Sequence, residues 1–204
     1  MNIQTQFYHA VNTSNLYDAE NLVDQVDVTE NSNIFLLTAV RRTDHQMLQL
    51  LIDHGADPTA RHGEGLKVAA ENCDAQCLKI LIPYFSSHNW QDVVDEAFEK
   101  TVKSHQSFQN VAAVKVIAPY ASQKSCNSMM AHAVFVHKNM VAPLLNDKID
   151  PQAVLEILTS NPKTRLTDYH IPAIEKLEEQ AALRQKQRIE EHLPPSPTTA
   201  ARKL

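Results

Sequence analysis

A repeated spacing of small and apolar residues constrains the fold of this 204-residue chain more than any other feature. In three segments an alanine is followed twelve positions later by an apolar pair: Ala10 by Leu22, Ala39 by Leu51 and Ala69 by Leu81 (10 to 22, 39 to 51, 69 to 81). Successive segments begin 29 and 30 residues apart (10 to 39, 39 to 69). This order predicts pairs of short antiparallel helices. Such a unit cannot bury its apolar face alone, so it needs stacked neighbours.

Two further units follow with looser spacing, which makes five in all. The segment 113–120 resembles the segment 77–84, and both end in Pro-Tyr. The first helix of the fourth unit is expected between Val93 and Val102, with a loop at 104–109. Asp150-Pro151 in the fifth unit repeats Asp57-Pro58 in the second.

Residues that end helices agree with this division. Gly55 is expected to supply a left-handed cap, because glycine adopts positive φ without steric cost. Pro83 and Pro119 stand where helices must stop or bend, since proline cannot donate the next helical hydrogen bond.

Composition favours helices and argues against some partners. Only three glycines occur, which is few for a protein of many strands and tight turns. The formal net charge is -5, so no overall basic field favours binding to nucleic acid. No stretch approaches the roughly 18 apolar residues typical of a membrane span. We therefore expect neither nucleic acid nor membrane as a partner.

The amino terminus and the cysteines indicate a reducing compartment. The first six residues lack the charged-then-apolar pattern of a secretory signal peptide. Three cysteines, an odd number, do not make a disulfide framework. A cytoplasmic location is the default expectation, with delivery into a host cell as the alternative considered below.

The residues of the second unit resemble those of the ankyrin repeat family. Leu36, Ala39, Leu51 and the run Gly55-Ala56-Asp57 stand at the expected relative positions. The resemblance covers roughly residues 5–158 and is most specific over 34–59. It implies an all-α, ankyrin-like helical repeat solenoid over residues 1–160.

The chain departs from the family pattern in two ways. The usual Thr-Pro-Leu-His opening is absent, and Phe35 and Leu36 lie within the segment that replaces it in the second unit. The units are also shorter than the family's typical length of about 33 residues. The missing residues fall between Gly55 and Leu66, so we expect the projecting hairpins to be short.

A linker and a capping helix are expected over residues 161–192, and a disordered tail over 193–204. Asn161-Pro162 disfavours continuation of the preceding helix. The helix that follows carries an apolar stripe, which consists of Ile171, Ile174, Leu177 and Ala181. We expect this stripe to dock on the last repeat. Beyond the stripe, the helix is expected to project into water. The proline-rich segment from residue 193 is typical of disorder.

The glutamate-rich helix and its Ser/Thr/Pro tail are similar to the carboxyl-terminal translocation signals of bacterial type IV secretion effectors. Divergent ankyrin repeats are common among such effectors, which act on host proteins. The alternative is a plain capping helix with a solvated charged face and a frayed end.

Metal binding and catalysis find little support in the sequence. Cys73 and Cys77 lie near His62, but a structural zinc site needs four ligands, and the only other cysteine is Cys126. Cys77 aligns with Met47, so apolar packing is the favoured interpretation and no metal or other cofactor is expected. The ten histidines are scattered. A Cys–His nucleophilic pair formed in space stays open, but no motif indicates an enzyme.

The family resemblance instead implies a protein-binding surface on the loop ends and the exposed side of each first helix. The candidate residues are Phe35, Arg41, Arg42, Asp44, His62, Glu64, Lys67, Glu71, Asn72, Asp74 and Trp90. Arg41 and Arg42 would fork onto carboxylates or phosphates, or merely complement a helix dipole. Trp90 would anchor a partner or staple the start of the next helix.

The predicted function is non-catalytic binding of a protein partner by a monomer, with a secreted effector as one version. The alternative is an inhibitor or immunity-type regulator of an enzyme from the same organism.

Overall fold

The computed structural model describes residues 2–104, 109–136, 144, 148–160 and 170–192, and these form α-helices joined by short connections. The helices are α1 Ile3–Asn12, α2 Leu16–Leu22, α3 Glu30–Arg41, α4 His45–Asp53, α5 Ala60–Glu71, α6 Ala75–Leu81, α7 Gln91–Lys103, α8 Gln109–Ile117, α9 Gln123–Val136, α10 Pro151–Ser160 and α11 Ile171–His192. Three 3-10 turns lie at Val23–Gln25, Ile82–Phe85 and His88–Trp90. Within the described ranges there is no β-strand, so the all-α prediction is confirmed.

The helices pack as a stack of pairs with two layers. In the first layer α1, α3, α5, α7 and α9 each contact the next, and α10 and α11 continue the series. In the second layer α2, α4, α6 and α8 contact one another in the same order. Each pair therefore packs on the pair before it and the pair after it, as the repeated spacing predicted.

The same tight turn closes the first helix of three successive pairs. Ser14, Thr43 and Cys73 stand 29 and 30 residues apart (14 to 43, 43 to 73), and their φ angles are 55°, 55° and 53°. In each turn a following N–H reaches back five residues to the predicted alanine: Asn15 to Ala10 at 2.9 Å, Asp44 to Ala39 at 3.0 Å and Asp74 to Ala69 at 3.0 Å. This pattern is the Schellman motif, which satisfies carbonyls at a helix end.

The residue after each turn caps the second helix of its pair. The side chain of Asn15 accepts from the Asp18 N–H at 3.1 Å. Asp44 and Asp74 accept in the same way from residues 47 and 77, both at 3.0 Å. These caps satisfy backbone donors that the helix itself leaves unpaired.

A contact shared by the second and fifth units supports their similarity. Asn33 on α3 accepts a hydrogen bond from the Asp57 N–H at 2.7 Å, and Asn127 on α9 accepts one from the Asp150 N–H at 2.8 Å. In both units an asparagine of the first helix binds the backbone of the aspartate in the Asp-Pro sequence. Part of the fifth unit, residues 137–143 and 145–147, lies outside the described residues.

The core lies between the layers and between successive pairs. The repeated alanines are nearly inaccessible, which lets neighbouring helices approach closely. Leu51 and Leu81 are fully buried at the predicted interface positions. Among the described residues, no helix combines the length and apolar character required to cross a bilayer.

Helix ends follow the glycine and proline signals. Gly55 has φ +95°, and its N–H donates to the Ile52 carbonyl at 3.0 Å, which confirms the predicted left-handed cap. Helix α6 ends at Leu81, two residues before Pro83, and α8 ends two residues before Pro119.

Helix α5 begins with a left-handed turn that the sequence did not indicate. Arg61, His62 and Gly63 have φ angles of 53°, 54° and 68°. At Gly63 the close packing also excludes a side chain, because a β-carbon would lie 2.6 Å from Val93 Cγ1 and 2.8 Å from Phe85 Cε1. This turn brings the start of α5 against the beginning of α7.

Helix α11 docks on α10 through part of the predicted stripe. Leu177 is fully buried, and Ile174 is partly buried against the core. Ile171, in contrast, is 44% exposed, so the stripe begins later than predicted. Farther along, Arg184 donates a hydrogen bond to the Ile149 carbonyl, whereas Leu183 is 56% exposed. The predicted linker at 161–169 and tail at 193–204 lie outside the described residues.

Candidate functional site

Six charged side chains form a row on the outer side of α3, α5 and α7, which we call the charged ribbon. Its members are Arg41, Glu64, Lys67, Glu71, Glu96 and Lys100. Arg41 Nη2 lies 3.1 Å from Glu64 Oε1, which joins α3 to α5. Two ion pairs of the ribbon join α5 to α7, one between Lys67 and Glu96 at 3.3 Å and one between Lys100 and Glu71. The hydrogen bond to Glu71 raises the pKa of Lys100.

The ion pairs of the charged ribbon fix where charges lie on the surface, but they add little to the free energy of unfolding. The Arg41 and Glu64 side chains are 55% and 33% exposed. Ion pairs at this degree of exposure contribute about 0–1 kcal/mol each, since water and salt screen them. Three cations and three anions alternate, so the ribbon offers a partner both signs of charge at fixed positions.

A shallow groove of about 340 Å³ continues the ribbon between α5 and α7. Its lining residues are Glu71, Glu96, Glu99, Lys100, Lys103 and Ser104. Lys103 Nζ contacts Glu99 Oε2 at 2.9 Å along α7. The groove is shallow and open, and charged groups of both signs lie along it, which suits contact with another macromolecule more than enclosure of a small molecule.

Four of the predicted partner-binding residues belong to the ribbon, namely Arg41, Glu64, Lys67 and Glu71. Several others have local structural roles. Arg42 donates to the Ser14 hydroxyl at 3.2 Å, which joins α3 to the preceding pair. Asp44 and Asp74 are helix caps, as described above, and Asn72 is the partly buried residue that ends α5.

The predicted role of Phe35 in partner binding is corrected by the structure. Its side chain is only 2% exposed, and its ring packs edge-on against Phe7 with centroids 5.0 Å apart. The register that placed Phe35 on the exposed side of the helix did not take account of α1, which covers it.

His62 and Trp90 meet at the start of α7. Their ring centroids are 5.8 Å apart, and Trp90 also contacts Phe85 edge-on at 5.4 Å. Trp90 is half-buried and occupies the cap position of α7, where its ring contacts are with His62 and Phe85. His62 is more exposed and lies 3.6 Å from a carboxylate oxygen of Asp92.

The candidate list missed Glu96 and Lys100, although the sequence held a signal for both. Each stands 29 residues after the oppositely charged residue that it contacts (67 to 96, 71 to 100). Charge complementarity at the repeat interval would therefore have found them.

A second cluster joins α4 to α6. His45 Nε2 lies 3.0 Å and 2.9 Å from the two carboxylate oxygens of Asp74. Cys77 Sγ completes the group, and the ligand-type atoms of the three side chains all lie within 4.8 Å of one another. His45 was not among the candidates, and the cysteine's neighbour is His45 rather than His62.

The environment of Cys77 opposes a nucleophilic role. Burial raises the pKa of the Cys77 thiol, and the adjacent Asp74 carboxylate raises it further. Burial also works against ionisation of Asp74, but hydrogen bonds from Cys77 and His45 outweigh it and lower the pKa of the carboxyl group. Reactive cysteines have depressed pKa values in accessible, electropositive surroundings, which are the reverse of these.

The other two cysteines are also buried. The Cys73 thiol donates a hydrogen bond to Asn110 Oδ1 at 3.0 Å, and burial raises its pKa. Burial raises the pKa of Cys126 as well. Both act as small packing residues.

Comparison of the chain with protein-family models, with curated proteins and with solved structures gave no match.

Proposed function

We propose that the chain is a non-catalytic, ankyrin-like module that binds a protein partner along the charged ribbon. The proposal draws on the predicted family resemblance and on the stack of helix pairs. It is supported by the turn that recurs at Ser14, Thr43 and Cys73, in the position where a repeat would place its interhelical turn.

The observation that carries the proposal is the extent of the ribbon. It crosses the first helices of three consecutive pairs, and ion pairs at each junction hold its side chains at defined positions. A surface of this length and mixed charge fits an extended contact with a protein that presents carboxylates and amines in the complementary order. Arg41, which is more than half exposed, offers a guanidinium fork to a carboxylate.

Catalysis by a cysteine is not part of the proposal. The three thiols are buried, and their pKa values are raised rather than lowered. The effector version remains a prediction, because the tail on which it depends lies outside the described residues.

The proposal is tested by affinity capture with two matched double variants. Lys67→Gln with Lys100→Gln removes two cations of the ribbon on α5 and α7. Lys79→Gln with Lys115→Gln removes two exposed cations from α6 and α8 in the other layer. Both variants lose the same charge, so nonspecific electrostatic attraction changes equally. Circular dichroism confirms that each variant is folded.

We expect a protein retained by the wild type to be lost with the ribbon variant and kept with the α6/α8 variant. Equal loss with both variants, or retention with both, would refute the ribbon as the binding surface. Lysates from a eukaryotic host and from the source organism are used side by side. A host protein supports the effector version, and an enzyme of the source organism supports the inhibitor alternative.

A further inference from the structure

The cluster of His45, Asp74 and Cys77 lies at the junction of the second and third helix pairs. His45 is the first residue of α4, Asp74 caps α6, and Cys77 belongs to the first turn of α6. Within the described residues it is the one group of three such side chains whose atoms are close enough to share a cation. We propose that these three side chains form a Zn²⁺-binding site that joins α4 to α6.

The preceding junction, between the first and second helix pairs, has different residues at two of the three equivalent positions. Moving each position back by one unit gives Leu16, Asp44 and Met47 (45 to 16, 74 to 44, 77 to 47). The capping aspartate is common to both junctions, where it accepts a hydrogen bond from the first turn of the second helix. The two remaining places change from apolar residues to histidine and cysteine, and both changes occur at the same junction.

The residue types and positions suit zinc. Imidazole nitrogen, thiolate sulfur and carboxylate oxygen are the ligands that Zn²⁺ takes in proteins. Asp74 Oδ1 accepts the N–H groups of Gln76 and Cys77, so the cap is made by one oxygen. Oδ2 faces His45 Nε2 at 2.9 Å and is the oxygen placed to bind a metal.

Only small movements separate this arrangement from a coordinated one. Tetrahedral Zn²⁺ with ordinary bond lengths holds its ligand atoms about 3.3–3.6 Å apart. The three atoms already lie within 4.8 Å of one another, and the His45 side chain, at 40% exposed, has room to rotate. The solvent side of His45 is also the route of entry and the place for a water as fourth ligand.

Charge balance is also favourable. Binding replaces the Cys77 S–H bond with a Zn–S bond and releases the proton to solvent, with no change of oxidation state. Thiolate and carboxylate together neutralise the divalent cation. The zinc-bound site therefore carries no net positive charge at the amino-terminal end of α6, where the helix dipole would oppose a cation.

The test uses the full-length protein with Zn²⁺ and with Co²⁺ as a spectroscopic probe. Isothermal titration measures Zn²⁺ affinity, and near-ultraviolet absorption detects thiolate coordination of Co²⁺. The main variant, His45→Leu with Cys77→Met, installs the residues found at the preceding junction, so the fold is expected to tolerate it. Cys126→Ala and His54→Gln remove a buried thiol and an exposed imidazole elsewhere.

We expect the wild type to show the thiolate band and to melt at a higher temperature in Zn²⁺. The double variant should lose the band and bind Zn²⁺ at least about tenfold more weakly, while both controls behave as wild type. Absence of the band in the wild type would overturn the proposal. So would a band or Zn²⁺ affinity that the double variant leaves unchanged, since binding would then come from scattered surface groups.

Discussion

Ser14, Thr43 and Cys73 each adopt a backbone conformation that side chains disfavour. Left-handed φ costs a residue with a β-carbon about 1–2 kcal/mol, and branching at that carbon adds crowding. The chain keeps the conformation at all three turns because hydrogen bonds and a helix cap on each side require it. Thr43 is the β-branched member of the set, so its strain is the easiest to relieve.

Thr43→Gly is therefore expected to raise the free energy of unfolding by up to about 1 kcal/mol. Thr13→Gly is the matched control, because Thr13 has φ −99° and loses only side-chain and entropic stabilisation. Urea unfolding measures both variants. A change of the same sign in the two would contradict the assignment of strain to Thr43.

Gly63 differs from Gly55 in having neighbours as well as positive φ. Gly55→Ala should cost about 1 kcal/mol of unfolding free energy from strain alone, because nothing lies within 4 Å of the added β-carbon. Gly63→Ala adds overlap with Val93 and Phe85 and should cost about 2 kcal/mol or more. Thermal melting of the two variants gives the order, and equal costs would mean that α7 shifts freely to make room.

Single residues were predictable where one sequence signal decides the outcome. Gly55 was placed correctly, because glycine after an apolar helix is a strong signal for a cap. Phe35 was not, because its burial depends on Phe7 of another helix. The cluster at His45 depends on two helices meeting, and a linear inspection that paired Cys77 with His62 could not find it.

Helix α11 shows how one element is held by a narrow contact. Leu177 is fully buried where α11 lies on α10, and six positions later Leu183 is 56% exposed. The same residue type thus occupies a docked and a solvated site on one helix.

Leu177→Ala should lower the free energy of unfolding by about 2–5 kcal/mol through the cavity that it opens. Leu183→Ala should stay within about 0.5 kcal/mol of the wild type, as exposed substitutions usually do. Chemical denaturation checks both. If the two variants were equally stable, α11 would not be docked as described.

At the scale of elements, the helix pairs could be predicted from the sequence, but the backbone conformation at the start of a helix could not. Alanines at a constant interval indicate helices that approach closely, and the structure has them at Ala10, Ala39 and Ala69. The left-handed start of α5 includes Arg61 and His62, which carry no glycine-like preference. A β-carbon at Gly63 would overlap Phe85 and Val93, more than 20 residues away, so the need for glycine in this turn depends on long-range contacts.

For the whole molecule, we expect substitutions in the core to lower stability and substitutions of surface charges to weaken partner binding. Leu51→Ala should cost about 2–5 kcal/mol, because Leu51 fills the space between successive pairs. Arg41→Glu with Arg42→Glu should lower stability by no more than about 1 kcal/mol, since it disturbs exposed contacts. It should, however, weaken partner capture. If thermal melting showed the arginine variant to be the less stable, the division into core and surface would be wrong.

The recurring turn also has a consequence for the number of helix pairs that such a chain can contain. Residues 44–73 run from one capping aspartate to the next left-handed position, and each end of this segment meets the same kind of neighbour. An in-frame duplication of that segment would place the same turn and the same capping aspartate on both sides of the new copy. Duplication of this segment would thus lengthen the stack by a whole unit and keep the same turn and helix cap at each end of the new copy.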